Sequence, residues 1–165
     1  MSKKDLYLCI GKKWEKMGEM LLGSAFLKID GTGRIKIPGD FSKYIVKNYG
    51  TELYVTSEKG DNVLIYPLEV WKNWLEEVKS SNQNYPIVRK YLNITGYFGK
   101  ITSIDSKERI LIQQVLREKA DLNGELVLIG NVDHLVLWNR AQFEKTNIES
   151  PLTDEELRQL TNRGF

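Results

Sequence analysis

Isoleucine recurs at every second position in Gly33-Arg34-Ile35-Lys36-Ile37 and again in Glu108-Arg109-Ile110-Leu111-Ile112. That period belongs to a strand with one buried face. The pattern predicts strands over 33–37 and 108–112, each preceded by a strand (24–29 and 98–104) and a three-residue turn. A short helix follows each pair. The first begins near Pro38, since proline suits an early helical position, and Gly50 ends it. Phe41, Tyr44, Ile45 and Asn48 lie on its helical spacing, and Val115, Leu116 and Ala120 play that part in the second. Two further strands close each half, 52–56 with 62–66 and 125–130 with 133–138, across the polar turns Glu58-Lys59-Gly60-Asp61 and Gly130-Asn131-Val132-Asp133.

Between the halves the period changes from two to helical. Pro67 opens a predicted helix whose apolar stripe is Trp71, Trp74, Leu75 and Val78. Ser80-Ser81-Asn82-Gln83-Asn84 breaks it, and a second helix turns Ile87, Val88, Tyr91 and Leu92 inward. Thr153-Asp154-Glu155-Glu156 reads as a capping box opening a short polar helix. Residues 1–19 show no clear period and read as a flexible arm.

The two halves repeat. Ile29-Asp30-Gly31-Thr32-Gly33-Arg34-Ile35-Lys36-Ile37 aligns with Ile104-Asp105-Ser106-Lys107-Glu108-Arg109-Ile110-Leu111-Ile112 at an offset of 75. Gly50-Thr51-Glu52-Leu53-Tyr54-Val55 aligns with Asn123-Gly124-Glu125-Leu126-Val127-Leu128 at 73, and Val63-Leu64-Ile65-Tyr66 with Leu135-Val136-Leu137-Trp138 at 72. The domain plan is an extension (1–19), a first repeat (20–66), a helical linker (67–97), a second repeat (98–143) and a tail (144–165). Four short strands and one helix cannot bury a core alone. One β-barrel shared by the halves about a pseudo-twofold axis, mainly β with short helices, is the expected fold.

Composition narrows the chemistry. Among 165 residues there is one cysteine and one histidine, so an internal disulfide, a cysteine-cluster zinc site and most histidine-dependent catalysis lack their parts. The chain carries no G-x-S-x-G, P-loop or H-E-x-x-H pattern. Gly31-Thr32-Gly33 lies between two predicted strands, so it reads as a hairpin turn and not a phosphate loop. His134 beside Asp133 has no signalled nucleophile, and Asp154, Glu155 and Glu156 are explained by a helix N-terminus. Trp71 and Trp74 read as core or subunit interface. No catalysis, cofactor, metal or small-molecule substrate is expected, and no apolar run is long enough to span a bilayer. Together with the lack of a secretory leader pattern this points to the cytoplasm. The net charge of +2 splits into +2 for residues 1–19, +2 for the middle and −2 for residues 144–165. Nucleic acid could be gripped only by focusing positive charge on one face or by several copies acting together.

The paired motif Asp-x-x-x-Arg, Asp30/Arg34 and Asp105/Arg109, carries the chemistry. Across a tight turn the carboxylate accepts backbone N–H groups and orients the guanidinium. One reading is a hairpin lock with no partner. The other is a rigid arginine that donates two bonds to guanine O6 and N7, a geometry lysine cannot copy. Lys36 shares the outward face with Arg34, while Lys28 and Lys107 stand close enough in sequence to hold phosphates.

These blocks resemble the MraZ family, bacterial regulators of the division and cell-wall gene cluster within the AbrB-like swapped-hairpin superfamily. The resemblance runs from about Met20 to Glu144 and is carried by Met20-Leu21-Leu22-Gly23-Ser24, Gly33-Arg34-Ile35-Lys36-Ile37-Pro38, Tyr66-Pro67-Leu68-Glu69-Val70-Trp71, the stretch Val127 to Trp138 and the doubled Asp-x-x-x-Arg. It implies a double swapped-hairpin barrel and a ring-shaped homo-oligomer. It implies sequence-specific binding of double-stranded DNA at G-rich direct repeats upstream of division genes, hence a nucleoid location. On that basis Arg34, Arg109, Lys107, Lys36 and Lys28 are the expected DNA contacts, with Asp30 and Asp105 orienting the arginines. The sequence departs from the family pattern at four places: Leu22 for arginine, Thr32 for lysine, Glu108 for the turn glycine and Gln113 for proline. The competing expectation is an oligomeric scaffold or antitoxin-like partner that kept the barrel and lost DNA.

Overall fold

The computed structural model describes residues 20–80 and 85–161. Expectations for the 1–19 arm and for the break at Ser81–Asn84 lie outside them. The first half contributes β1 (Leu21–Leu27), β2 (Arg34–Lys36), α1 (Gly39–Tyr49), β3 (Glu52–Thr56) and β4 (Val63–Pro67). The linker forms α2 (Leu68–Ser80) and α3 (Tyr85–Tyr97). The second half repeats the order with β5 (Lys100–Ser103), β6 (Arg109–Leu111), α4 (Gln114–Lys119), β7 (Leu126–Val132) and β8 (His134–Asn139). A short helix α5 (Arg140–Phe143), a π-helical turn Glu144–Ile148 and α6 (Asp154–Thr161) follow.

The strands pair across the halves. Six form one antiparallel sheet in the order β1-β7-β8-β4-β3-β5, and β2 pairs with β6 in a separate ribbon. Exchanging β1–β4 for β5–β8 reverses that order and leaves it unchanged, so the repeat in the sequence becomes a pseudo-twofold relation in the sheet. Each first strand turns tightly into the next, yet does not pair with it. β1 lies on β7 from Leu21↔Val132 to Leu27↔Leu126, and β5 lies on β3. The expected closed barrel does not form. β2 and β6 are three residues long and are taken up by pairing with each other. Among the described residues no strand remains to join β1 to β5, which stay as the two edges of the sheet.

The alternating isoleucines explain why the ribbon sits where it does. Ile35 and Ile110 face each other in register, and both, with Ile37 and Ile112, are buried in one core with Leu53, Val55, Ile65, Leu128, Leu135 and Leu137. Helix α1 turns Phe41 and Ile45 into that core and ends at Gly50, whose φ of 85° favours glycine. Asn48, which shares that helical spacing, is exposed and donates its side-chain amide to the Tyr44 carbonyl. Leu116 and Ala120 are fully buried, with Val115 packed beside them.

In the linker Trp71 is buried and stacks on Tyr54 at 4.8 Å, whereas Trp74 is half exposed and donates its indole N–H to the Tyr91 hydroxyl at 2.7 Å. Pro67 closes β4 instead of opening α2, and Ile87, expected inward, is exposed on the first turn of α3. The capping box forms as expected. The Thr153 N–H donates to Glu156 Oε2 at 2.8 Å and the Glu156 N–H to Thr153 Oγ1 at 3.2 Å. Among the described residues no helix is long and apolar enough to cross a membrane.

Candidate nucleic-acid interface

Each Asp-x-x-x-Arg segment folds as a tight turn built on backbone hydrogen bonds. The Asp30 N–H donates to the Arg34 carbonyl at 2.8 Å and the Gly33 N–H to the Asp30 carbonyl at 3.1 Å. The second turn repeats these at 2.9 Å and 3.0 Å between Asp105, Arg109 and Glu108. A residue with positive φ completes each turn, Gly33 at 79° and Glu108 at 60°. A three-residue loop that ends on a residue in the left-handed region is a common tight connection.

The carboxylates lock the turns from inside. Asp30 Oδ1 accepts from the Thr32 N–H at 2.8 Å, the Arg34 N–H at 3.0 Å and the Thr32 hydroxyl at 2.6 Å. Asp105 Oδ1 accepts from the Lys107 N–H at 2.9 Å and the Arg109 N–H at 2.8 Å. Each bond favours the charged carboxylate. The Thr32 hydroxyl first, and then the Arg34 N–H, draw Asp30 down to about 2. The Arg109 N–H chiefly lowers Asp105.

The guanidinium groups are held differently. Arg109 Nε donates to Asp105 Oδ2 at 3.1 Å, and its Nη1 lies 3.9 Å from Asp30 Oδ2 in the other half. Arg34, expected to be clasped by Asp30, instead donates from Nη1 to the Thr32 hydroxyl at 3.1 Å. The Thr32 hydroxyl donates to Asp30 Oδ1 and accepts from Arg34, so the first clasp is relayed through a hydroxyl, while Asp30 Oδ2 faces Arg109 of the other half.

The ribbon gathers the cations. Register pairs Lys36 with Arg109 and Arg34 with Leu111. Residues directly opposite share a face, so Arg34, Lys36 and Arg109 stand together on the side away from Ile35 and Ile110. Lys36 and Lys107 are exposed, and Arg34 and Arg109 are partly exposed. Lys28 is exposed just beyond β1, outside the ribbon's register. His134 opens β8, bonded through Nδ1 to Asp133 at 2.7 Å and stacked on Tyr66 at 4.2 Å.

One contributor was not legible in the sequence. Arg117, from α4 of the second half, lays its guanidinium against Gly33 of the first turn. A Cβ there would come within 2.9 Å of Arg117 Cζ. Its Nε is buried without a hydrogen-bond partner. Sequence spacing places Arg117 on a helix, but only the exchange of strands brings that helix under the opposite half's turn.

The family profile described as "MraZ protein, putative antitoxin-like" matches residues 20–91 and 101–164, one match over each half. Relatives named transcriptional regulator MraZ align along most of the chain. The protein from Acidobacterium capsulatum is 30% identical over 146 residues, covering 88% of this chain and 100% of the relative. The Koribacter versatilis protein is 33% identical over 148 residues with the same coverage. The Neisseria meningitidis serogroup A protein is 29% identical over 132 residues, covering 79% of this chain and 87% of the relative. With its profile matched in both halves and two of these relatives spanned end to end, the chain belongs to the MraZ family.

Proposed function

We propose that this chain is a sequence-specific DNA-binding transcriptional regulator and that the β2–β6 ribbon is the surface that enters the DNA. The register of that ribbon carries the reading: Lys36 opposite Arg109, with Arg34 two positions along on the same face. A two-stranded ribbon fits a major groove. Arg109, oriented by Asp105, is poised to donate a bidentate pair to guanine, and Arg34 does the same from the first turn. Lys36, Lys107 and Lys28 supply phosphate contacts that position without specifying. Asp30 and Asp105 act through the arginines they orient. The relatives' printed name supports the regulatory role.

The finer proposal is a ring of protomers reading G-rich direct repeats upstream of division and cell-wall genes at the nucleoid. Phe26 and Ile148, both exposed, flank one groove beside the β1 edge, and contact with another protomer would cover them. Linked contacts raise the avidity of a weakly charged chain by about 10²–10⁴.

Fluorescence anisotropy against a duplex carrying G-rich direct repeats, with a scrambled duplex of equal composition, tests the proposal. Preference for the repeats, lost in Arg109→Ala with the melting temperature kept, is the expected result. Equal affinity for both duplexes would leave the scaffold reading standing.

A further inference from the structure

Arg117 is a cation beside the first turn that the DNA reading leaves out. It comes from α4, which opens where β6 ends. The Ile112 N–H donates to the Gly33 carbonyl at 2.9 Å, so the end of β6 is fastened to the first turn. Leu116, fully buried, anchors the helix in the core. The next residue is thereby set beside Gly33. A Cβ at Gly33 would meet Arg117 Cζ and Nη1 at 2.9 Å and Nε at 3.2 Å, so the guanidinium lies across the glycine.

No group among the described residues answers its charge. Arg34, Arg109, Arg140 and Arg158 each hold a hydroxyl or a carboxylate, and Arg89 lies over the Tyr85 ring. The Arg117 guanidinium makes no ion pair or hydrogen bond among these residues, and its Nε is shut from solvent. The side chain as a whole is partly exposed, with its outer nitrogens open to solvent. The other turn is built differently. The counterpart of Arg117, 75 residues earlier, is Ser42, which is buried. The counterpart of Gly33 is Glu108, whose carboxylate oxygens lie 3.8 and 4.0 Å from where a Cβ at Gly39 would stand. One turn is flanked by a guanidinium and the other by a carboxylate.

A ribbon in a major groove runs between two phosphate backbones. The planar fork of arginine matches a phosphate's oxygens, and a guanidinium already held by packing needs little ordering on binding. We propose that Arg117 holds a DNA backbone phosphate beside the first turn and so fixes where the Asp30–Arg34 turn sits in the groove. This rests on the reading of the β2–β6 ribbon as the DNA surface.

Anisotropy titrations of a G-rich duplex and a scrambled one across a range of salt concentrations test it. Arg117→Gln is expected to weaken both duplexes alike, since a phosphate contact carries no sequence information. It is also expected to make the slope of log K against log salt shallower by about 0.9 per bound protomer. Arg117→Lys keeps the charge and should keep the slope. Weaker binding by Arg117→Gln at an unchanged slope would leave Arg117 only as packing under Gly33 and overturn the proposal, as would no change at all. Phenylglyoxal footprinting, which modifies accessible arginines, uses the unaltered chain and so stands if a variant fails to fold. Duplex is expected to protect Arg117 together with Arg34 and Arg109. Protection of Arg34 and Arg109 alone would overturn the proposal and leave the ribbon reading intact. Protection of none of the three would overturn both.

Discussion

The two turns share a backbone and differ in how they hold their arginines. Both close with the same pair of backbone bonds and place a carboxylate oxygen on the N–H two and four residues on. At the second turn the other carboxylate oxygen grips Arg109 Nε. At the first, the Thr32 hydroxyl stands between Asp30 and Arg34. The backbone lock is therefore a property of the motif, while the aim of the guanidinium depends on the residues between. The shared geometry also comes at unequal strain, since Gly33 accepts a φ of 79° freely whereas Glu108 holds 60° with a side chain attached.

The core beneath the ribbon should erase the difference between the turns. Ile110→Ala removes a side chain packed between both halves and is expected to cost about 2–5 kcal/mol. Ile35→Ala should cost the same, because the two residues face each other in register. Urea unfolding measures both. Unequal losses would mean that the halves do not share the ribbon's core as the register indicates.

The DNA face should separate the turns. Arg109→Ala is expected to weaken binding to the G-rich repeat by roughly tenfold to hundredfold, the range of one bidentate base contact. Arg34→Ala should cost less, because its guanidinium is held through a neutral hydroxyl and must reorient on binding. Anisotropy at fixed salt reads both. An Arg34 effect larger than that of Arg109 would reverse the ranking.

Exchanging the strained residue tests the backbone half of the comparison. Glu108→Gly is expected to stabilise by about 0.5–1 kcal/mol, as the left-handed penalty disappears and part of the gain is offset by glycine's entropy. Gly33→Ala should destabilise for two reasons: the φ of 79°, and the Arg117 guanidinium within 2.9 Å of the new Cβ. Thermal melting of the two variants gives opposite signs if the turns are equivalent.

The sequence made much of this legible. Alternating isoleucines located the ribbon's buried face, Gly50 located a helix end, and the Asp-x-x-x-Arg spacing located both turns. The pairing partners were not legible, because a period of two says that a strand has a buried face and nothing about which strand lies beside it. Hence β1 looks like half of a local hairpin with β2, yet lies on β7. The same blindness hid Arg117, whose neighbour in space is 84 residues away in sequence, at Gly33. It also hid the relay at Thr32, since a departure from lysine reads as a lost charge and not as a gained hydroxyl. Ile87 shows the converse error: helical spacing marks a face, and packing decides how far along the helix that face is covered.

The smallest effect should appear in acid. Asp30 is held at about 2, below its ordinary 3.8, with the Thr32 hydroxyl as the largest cause. A carboxyl lowered in the folded state stabilises fully above its unfolded value and loses that contribution as the pH falls through the folded one. For Asp30 the window is therefore from about pH 4 down to about pH 2. Thr32→Val removes the hydroxyl and leaves the backbone donors, so the Asp30 titration should move up toward its ordinary value. Asp105 rests chiefly on the Arg109 N–H and should not move. Carboxyl ¹³C chemical shifts followed from pH 5 to 2 report each residue separately. Equal movement of both would show that the turns are coupled through the Arg109–Asp30 contact at 3.9 Å, and the hydroxyl relay would then not be local to the first turn.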